Sequence, residues 1–375
     1  MSTTPRSLRS VKRSSTAGLT RAVAWLGAAG LCGAALGAIN DIPAGETYLI
    51  QGSQANGHLN VQTAGFQNAG ALRLESINAG YLSAFTVTNG IFTNLVSGAV
   101  NVNQGSGGGR GIYGDVRNYG TLNANWDLDL TAAGKLFQNY GAINIVSGRT
   151  VSMNGAGQVF EQRAGTIAND GGLRFNGPKV DYQGGQFTGN APYLINCDLV
   201  IGPQATNGVT FMQTGSSSTY AGDTWPGQTI WVRGDGTGRH TTLTAPNGFS
   251  NAGRWLLESQ NAGWTSALTV SAGQLRNLAG GVIDIGVGSG GPRQISADLL
   301  NLGALNVGYG LTLSKANGVY DNQGAINIAE GQTLSISGQN QVFNQQAGTL
   351  TIAGGFTANG ITFNFLGGDI AGTLT

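Results

Sequence analysis

The chain alternates in short runs. Ala142-Ile143-Asn144-Ile145 is typical, and period-two alternation places one row of side chains inward and one outward on a β-strand. Such runs are brief and end in Gly/Asn turns, as in "AFTVTNG" and "TVSMNG". A phrase recurs among them: an aromatic or aliphatic residue, one residue, Asn, a short turn, Gly, then alternating apolar residues. It reads "FQNAGALRL" at Phe66, "FTNLVSGAVNV" at Phe92, "VRNYGTLNA" at Val116, "FQNYGAINI" at Phe137 and, with Gln for Asn, "FEQRAGTIA" at Phe160. The anchoring residues Asn68, Asn94, Asn118, Asn139 and Gln162 are 26, 24, 21 and 23 apart.

A period in that range predicts a solenoid. One coil cannot bury its own apolar row, whereas stacked coils can, each strand pairing with its equivalents about 4.8 Å above and below. Asn at one corner of successive coils then forms a ladder of side-chain amides. Gly and Asn are expected to supply left-handed backbone at the corners. Low charge follows, because like charges stacked at strand spacing repel. The fold expected is all-β: a right-handed parallel β-helix of about fourteen to sixteen coils. An array of β-sandwiches is the alternative, but it needs modules of about 100 residues.

A longer repeat lies over the short one. At a constant offset of 183, residues 66–172 match 249–355, with 51 of 107 positions identical. That is too many for two segments that merely share strand grammar. With one inserted residue the match extends upstream, pairing "DIPAGETYLIQG" at Asp41 with "DTWPGQTIWVRG" at Asp223. The organisation expected is a leader over 1–38, a first repeat unit over 39–222 and an incomplete second unit over 223–375. The second half of the predicted ladder is then Asn251, Asn277, Asn301 and Asn322.

Composition supports many strands and tight turns: Gly is 64 of 375 residues, charged residues are 10% and hydrophobic residues 40%. A disordered Gly-rich chain lacks such apolar content. The first residues are different. Arg6, Arg9, Lys12, Arg13 and Arg21 carry no acidic company, and the apolar "AVAWLGAAGLCGAALGA" follows. This is the pattern of a secretory signal peptide with cleavage after Gly37 or Ala38. Seventeen residues rich in Gly and Ala are marginal for a membrane anchor, and Leu31 is too large for a lipobox before Cys32. The mature chain would keep fourteen basic and eighteen acidic residues, a net charge of −4. With no basic stripe, nucleic acid and anionic membrane surfaces are poor candidates as partners, and no stable membrane insertion of the mature chain is expected. Its one cysteine, Cys197, allows no internal disulfide and is expected to pack as a small buried hydrophobe.

The phrase Asn-x-Gly-x-[Leu/Ile]-x-[apolar] resembles the repeats of large secreted bacterial β-helix proteins, the filamentous-haemagglutinin-type adhesins and autotransporter passengers. The resemblance covers nearly all of 41–375. It implies a secreted or cell-surface structural or adhesive protein.

Candidate chemistry is sparse. Polysaccharide lyases and glycosidases need clustered carboxylates, often with Ca²⁺. Asp127 and Asp129 are the densest acidic spot, yet Gly310 and Thr312 replace them in the second unit. The acids present in both units are Glu75/Glu258 and Asp115/Asp298, with Arg110/Arg293 five residues before the latter. A salt bridge between Arg110 and Asp115 is expected to hold the "GSGGGRGIYGD" loop. His58 and His240 recur equivalently, which fits a structural role, and a lone His is a weak metal signal. Candidate binding residues are the tripeptide Arg233-Gly234-Asp235 and the aromatics Trp126 and Trp264, which align with Tyr309 and Tyr81. No catalytic residue, cofactor or metal is expected. The expected function is a non-enzymatic spacer or adhesive surface whose partners are cell-surface glycans or neighbouring solenoid chains. A carbohydrate-active β-helix is the alternative.

Overall fold

The computed structural model describes residues 39–374. The expected signal peptide lies outside the described residues. Among the described residues the chain is a β-solenoid of about 14 turns without helices. Every strand-to-strand ladder is parallel, and each turn lays down three short strands that stack on those of the turns before and after.

The stacks follow from the pairings. A first stack runs Thr47–Gly52, Ala71–Ser76, Ala99–Val102, Thr121–Ala124, Ala142–Ile145, Thr166–Asn169 and Gln186–Gly189. A second begins with 59–63 over 83–87 and a third with 66–68 over 92–94; these two meet at a corner inside one long strand. Within each strand the burial alternates, and Ile143, Ile145, Val151 and Met153 point inward as expected, each at most 2% exposed. Their counterparts Ile326, Ile328, Leu334 and Ile336 do likewise. The apolar interior is continuous from Ile39 to Phe356, so the boundary at 222/223 is a seam in sequence and not a break in the core. Each buried Ile, Leu or Phe contributes about 1.5–3 kcal/mol of transfer free energy. Cys197 is fully buried, and loss of hydration pushes its thiol up to about 12.

The asparagine ladder is present in both units. Asn68, Asn94, Asn118 and Asn139 each donate Nδ2 to the next, at 2.8, 2.7 and 2.7 Å, and Asn139 donates to Gln162 Oε1. Asn251, Asn277, Asn301 and Asn322 repeat the series at 2.8, 2.7 and 2.8 Å. All eight are essentially unexposed. Burying an amide is costly unless its hydrogen bonds are made, and stacking supplies them from identical neighbours. A second, outer ladder was not foreseen: Asn144 donates to Asn123 and Asn123 to Asn101, each at 2.9 Å.

In the recurring phrase Gly165 is left-handed as expected, with φ of 68°, but Gly70, Gly98, Gly120 and Gly141 have a different cause. Gly120 and Gly141 are not among the residues with positive φ. A Cβ at Gly141 would collide with the carbonyl oxygen of Gly120 one turn below, and at Gly120 with that of Gly98. The requirement is close approach of stacked corners, not left-handed backbone. Likewise the left-handed asparagines are Asn78, Asn196, Asn261, Asn317 and Asn340, none of them a ladder member.

The two units are not stacked in the same orientation. Thr47–Gly52 opens the first stack, but its counterpart Thr229–Gly234 pairs with Thr210–Thr214 and so continues the second. The counterpart of 59–63, Thr241–Ala245, continues the third by pairing with Ser218–Ala221. Phe249–Asn251 then carries on from Thr224, on the side the first stack occupied. The second unit is therefore turned by one face about the axis. A unit of 183 residues is a whole number of faces but not of turns.

Candidate functional site

The polar residues shared by both units are occupied in holding the rod. Arg110 and Arg293 are each 1% exposed. The expected Arg110–Asp115 salt bridge is absent. Arg110 instead donates to the carbonyls of Asn103, Gln104, Gly107 and Gly109, at 2.5–3.0 Å, and to Ser76 Oγ at 3.1 Å. The reason is geometric: a buried guanidinium has five donors, and the folded-over glycine loop offers converging carbonyls that match them. Burial lowers the guanidinium from its ordinary value, opposed by the charge of Glu75. Arg293 does the same in its loop, bonding Gly286, Val287, Gly290 and Gly291. Asp115 accepts from Lys135 Nζ at 3.1 Å and from Leu136 N at 2.8 Å; Asp298 repeats this with Lys315 and Val319 N. Glu75 accepts from Gln51 and Arg73. Asp127 and Asp129 accept the backbone N–H groups of Thr150 and Thr131.

The histidines cap a strand start. Nδ1 of His58 accepts from Leu82 N at 3.0 Å and Nδ1 of His240 from Thr265 N at 3.1 Å, with Tyr81 and Trp264 edge-on to the rings. Trp264 belongs to this packing. Among the described residues no cluster of three His, Cys, Asp or Glu could hold a metal, and no helix is long and apolar enough to cross a membrane.

The tripeptide at 233–235 is not displayed as an open loop. Gly234 is buried in a strand, and the Asp235 carboxylate is 1% exposed. Asp235 takes a salt bridge from Arg233 at 2.7 Å, the Tyr193 hydroxyl at 2.5 Å and the N–H groups of Thr237 and Gly238. Burial alone would raise this carboxyl; those donors outweigh it and hold it below 3.8.

Arg233 does, however, border an open groove of about 580 Å³ on the second stack. The groove spans the strands from Thr150–Met153 to Thr229–Gly234. Four strand spacings make it roughly 19 Å long. Stacking places Arg174, Tyr193, Met212 and Trp231 in register along its floor. The guanidinium carbons of Arg174 and Arg233 lie 5.2 Å from the Tyr193 ring centre, and that of Arg149 lies 3.7 Å over Trp126. Thus Arg233 and, through Arg149, Trp126 are brought to one surface, while Trp264 is elsewhere. Arg149 and Arg174 have no carboxylate partner within salt-bridge distance among the described residues.

Sequence reasoning missed Arg149, Arg174, Asn190 and Tyr193. A signal existed in the repeat itself. The ladder residues are the same in both units, whereas Arg149, Arg174 and Arg233 correspond to Gln332, Thr357 and Gln51. The groove is where the second unit departs from the first.

Comparison of the chain with protein-family models, with curated proteins and with solved structures gives no match.

Proposed function

We propose that this protein is a secreted or cell-surface solenoid of bacterial-adhesin type, a non-enzymatic spacer whose sides carry binding surface. The observation that supports this is where the recurrent polar residues go. Both members of the pairs Arg110/Arg293, Asp115/Asp298 and His58/His240 are used to fix loops and strand starts. A repeated catalytic centre would instead bring an acid, a base and an electrophile towards one open point. Rigid strand stacking gives a rod of roughly 70 Å, suited to holding a binding surface away from its attachment. Partners in this reading are cell-surface glycans or neighbouring solenoid chains.

A carbohydrate-active solenoid is the second reading, favoured by the groove with its arginines and Asp170. Incubation of the purified protein with pectin, alginate, chondroitin and xylan, with and without Ca²⁺, separates the two. The expected result is no unsaturated or reducing-end product. Product that disappears in Asp170→Ala, Asp115→Ala or Asp298→Ala would overturn the non-enzymatic reading.

A further inference from the structure

We propose that the groove on the second stack is a binding site for a linear acidic glycan, with Arg149 and Arg174 taking its carboxylate or sulfate groups. This rests on the reading of the rod as a binding surface and names what it binds.

Three observations carry it. The first is charge. In a chain whose described part has more acidic than basic residues, Arg149 and Arg174 stand on adjacent turns without carboxylate partners, Arg174 opposite Ser152 and Arg149 just before Thr150. Arg233, farther along, is neutralised by Asp235. A guanidinium beside an aromatic ring is held in place while its edge stays free to donate, and such an edge matches a carboxylate or sulfate in bidentate fashion.

The second is shape. The groove is open and follows the axis for roughly 19 Å. A single small anion would use one arginine; a linear polymer bearing repeated anions uses both and lays the rest of its length along the groove. Asn190 and Thr237 line it and can bond ring hydroxyls, which sets a glycan apart from a nucleic acid. Nucleic acid would ask for a longer basic track and free aromatic faces for its bases. Here the Tyr193 ring is covered, being 8% exposed.

The third is the internal comparison. The solenoid is built in the other unit with Gln332, Thr357 and Gln51 at the three arginine positions. Strand stacking therefore does not need arginine there.

The test uses the full chain and the double variant Arg149→Gln, Arg174→Thr, which installs the other unit's residues. Arg276→Gln, an exposed arginine outside the groove, is the control. Binding is measured by calorimetry against polygalacturonate and alginate as carboxylated probes, chondroitin sulfate as a sulfated probe, dextran as a neutral probe and a single-stranded DNA. Expected are binding of at least one acidic glycan, none of dextran, weakening with salt, and a loss of roughly tenfold or more in the double variant. The circular dichroism and melting temperature should be unchanged. Comparing the carboxylated with the sulfated probes identifies which anion is preferred. No binding of any acidic glycan, equal binding by the double variant, or DNA bound as tightly with the same arginine dependence would each overturn the proposal. Cleavage of a bound glycan would sink the non-enzymatic reading and leave the groove standing. Absence of binding by the native protein, with no cleavage, would do the reverse.

Discussion

The side-chain amide of Asn139 donates to Gln162 Oε1 at 2.9 Å, and at the matching place Asn322 donates to Gln345 at the same distance. Both asparagine ladders thus end on a glutamine, whose extra methylene lets its own Nε2 turn back to the carbonyl of Ala164 or Ala347. Removing an inner rung should cost more than its single bond. Asn118→Ala leaves one Asn94 N–H and the Asn139 acceptor unpaired in the core, at about 1–3 kcal/mol each, while Asn94 keeps its bond to the Thr121 carbonyl. Asn123→Ala, in the half-exposed outer ladder, should cost under about 1 kcal/mol because water replaces the lost bonds. Denaturant unfolding of the two variants gives the comparison; equal costs would refute the account.

Glycine at the stacked corner should be irreplaceable for a reason separable from backbone freedom. Gly141→Ala drives a Cβ into the Gly120 carbonyl, whereas at Gly148, with φ of 74°, an added methyl would have nothing within 4 Å. Gly148→Ala should cost about 1 kcal/mol for its left-handed backbone. Gly141→Ala should cost about 2–3 kcal/mol, as overpacking does. Melting temperatures that ranked the two the other way would return the corner to a question of φ.

Arg110 should act as the fastener of its loop. Lysine offers three donors from one point and cannot span carbonyls that a planar fork reaches. In Arg110→Lys, hydrogen exchange over residues 103–109 should speed up while exchange in Ala142–Ile145 stays as it was. Unchanged protection of the loop would count against the carbonyl-binding role.

Acid should loosen the seam between the units. The folded Asp235 carboxyl is held below its ordinary 3.8. Its contribution is therefore fully present above that value and is lost as pH falls through the lower folded one. The fall in stability as pH drops below the ordinary carboxylate range should be shallower in Asp235→Asn, which has no such carboxyl to protonate. Parallel acid titrations of the two proteins, followed by Trp fluorescence, would show no difference if the buried carboxylate were irrelevant.

Open strand edges should draw copies together. Among the described residues, Gly355–Thr357, Thr362–Phe365 and Asp369–Ala371 pair on one side only, and Phe365 and Leu366 are 57% and 67% exposed. Unpaired edges with exposed apolar side chains promote association. Sedimentation at micromolar concentration should show self-association that Leu366→Lys reduces. A strict monomer over days would contradict this.

The fold was legible because a solenoid writes its physics in repetition. Alternation named the inward residues, and the spacing of Asn68, Asn94, Asn118 and Asn139 named the ladder. The cause of the glycines was not legible, since close approach and left-handed backbone both select glycine. Nor was the partner of Arg110, because Asp115 is adjacent in sequence yet lies beyond the corner, against Lys135. The groove was hidden for a deeper reason. Arg149, Arg174 and Arg233 are far apart in sequence and meet only through stacking, and repeat matching draws the eye to what recurs.

The one-face turn between the units bears on how such a chain can grow. Its three sides are interchangeable seats for a strand, so a duplicated segment need only begin and end at a corner to be accommodated. Lengthening is counted in sides, not in circuits. Successive copies of a 183-residue segment would each face a third of the way further round, and a fourth copy would again face the way of the first. A patch carried by every copy would wind about the rod like a thread on a screw and meet partners approaching from every direction.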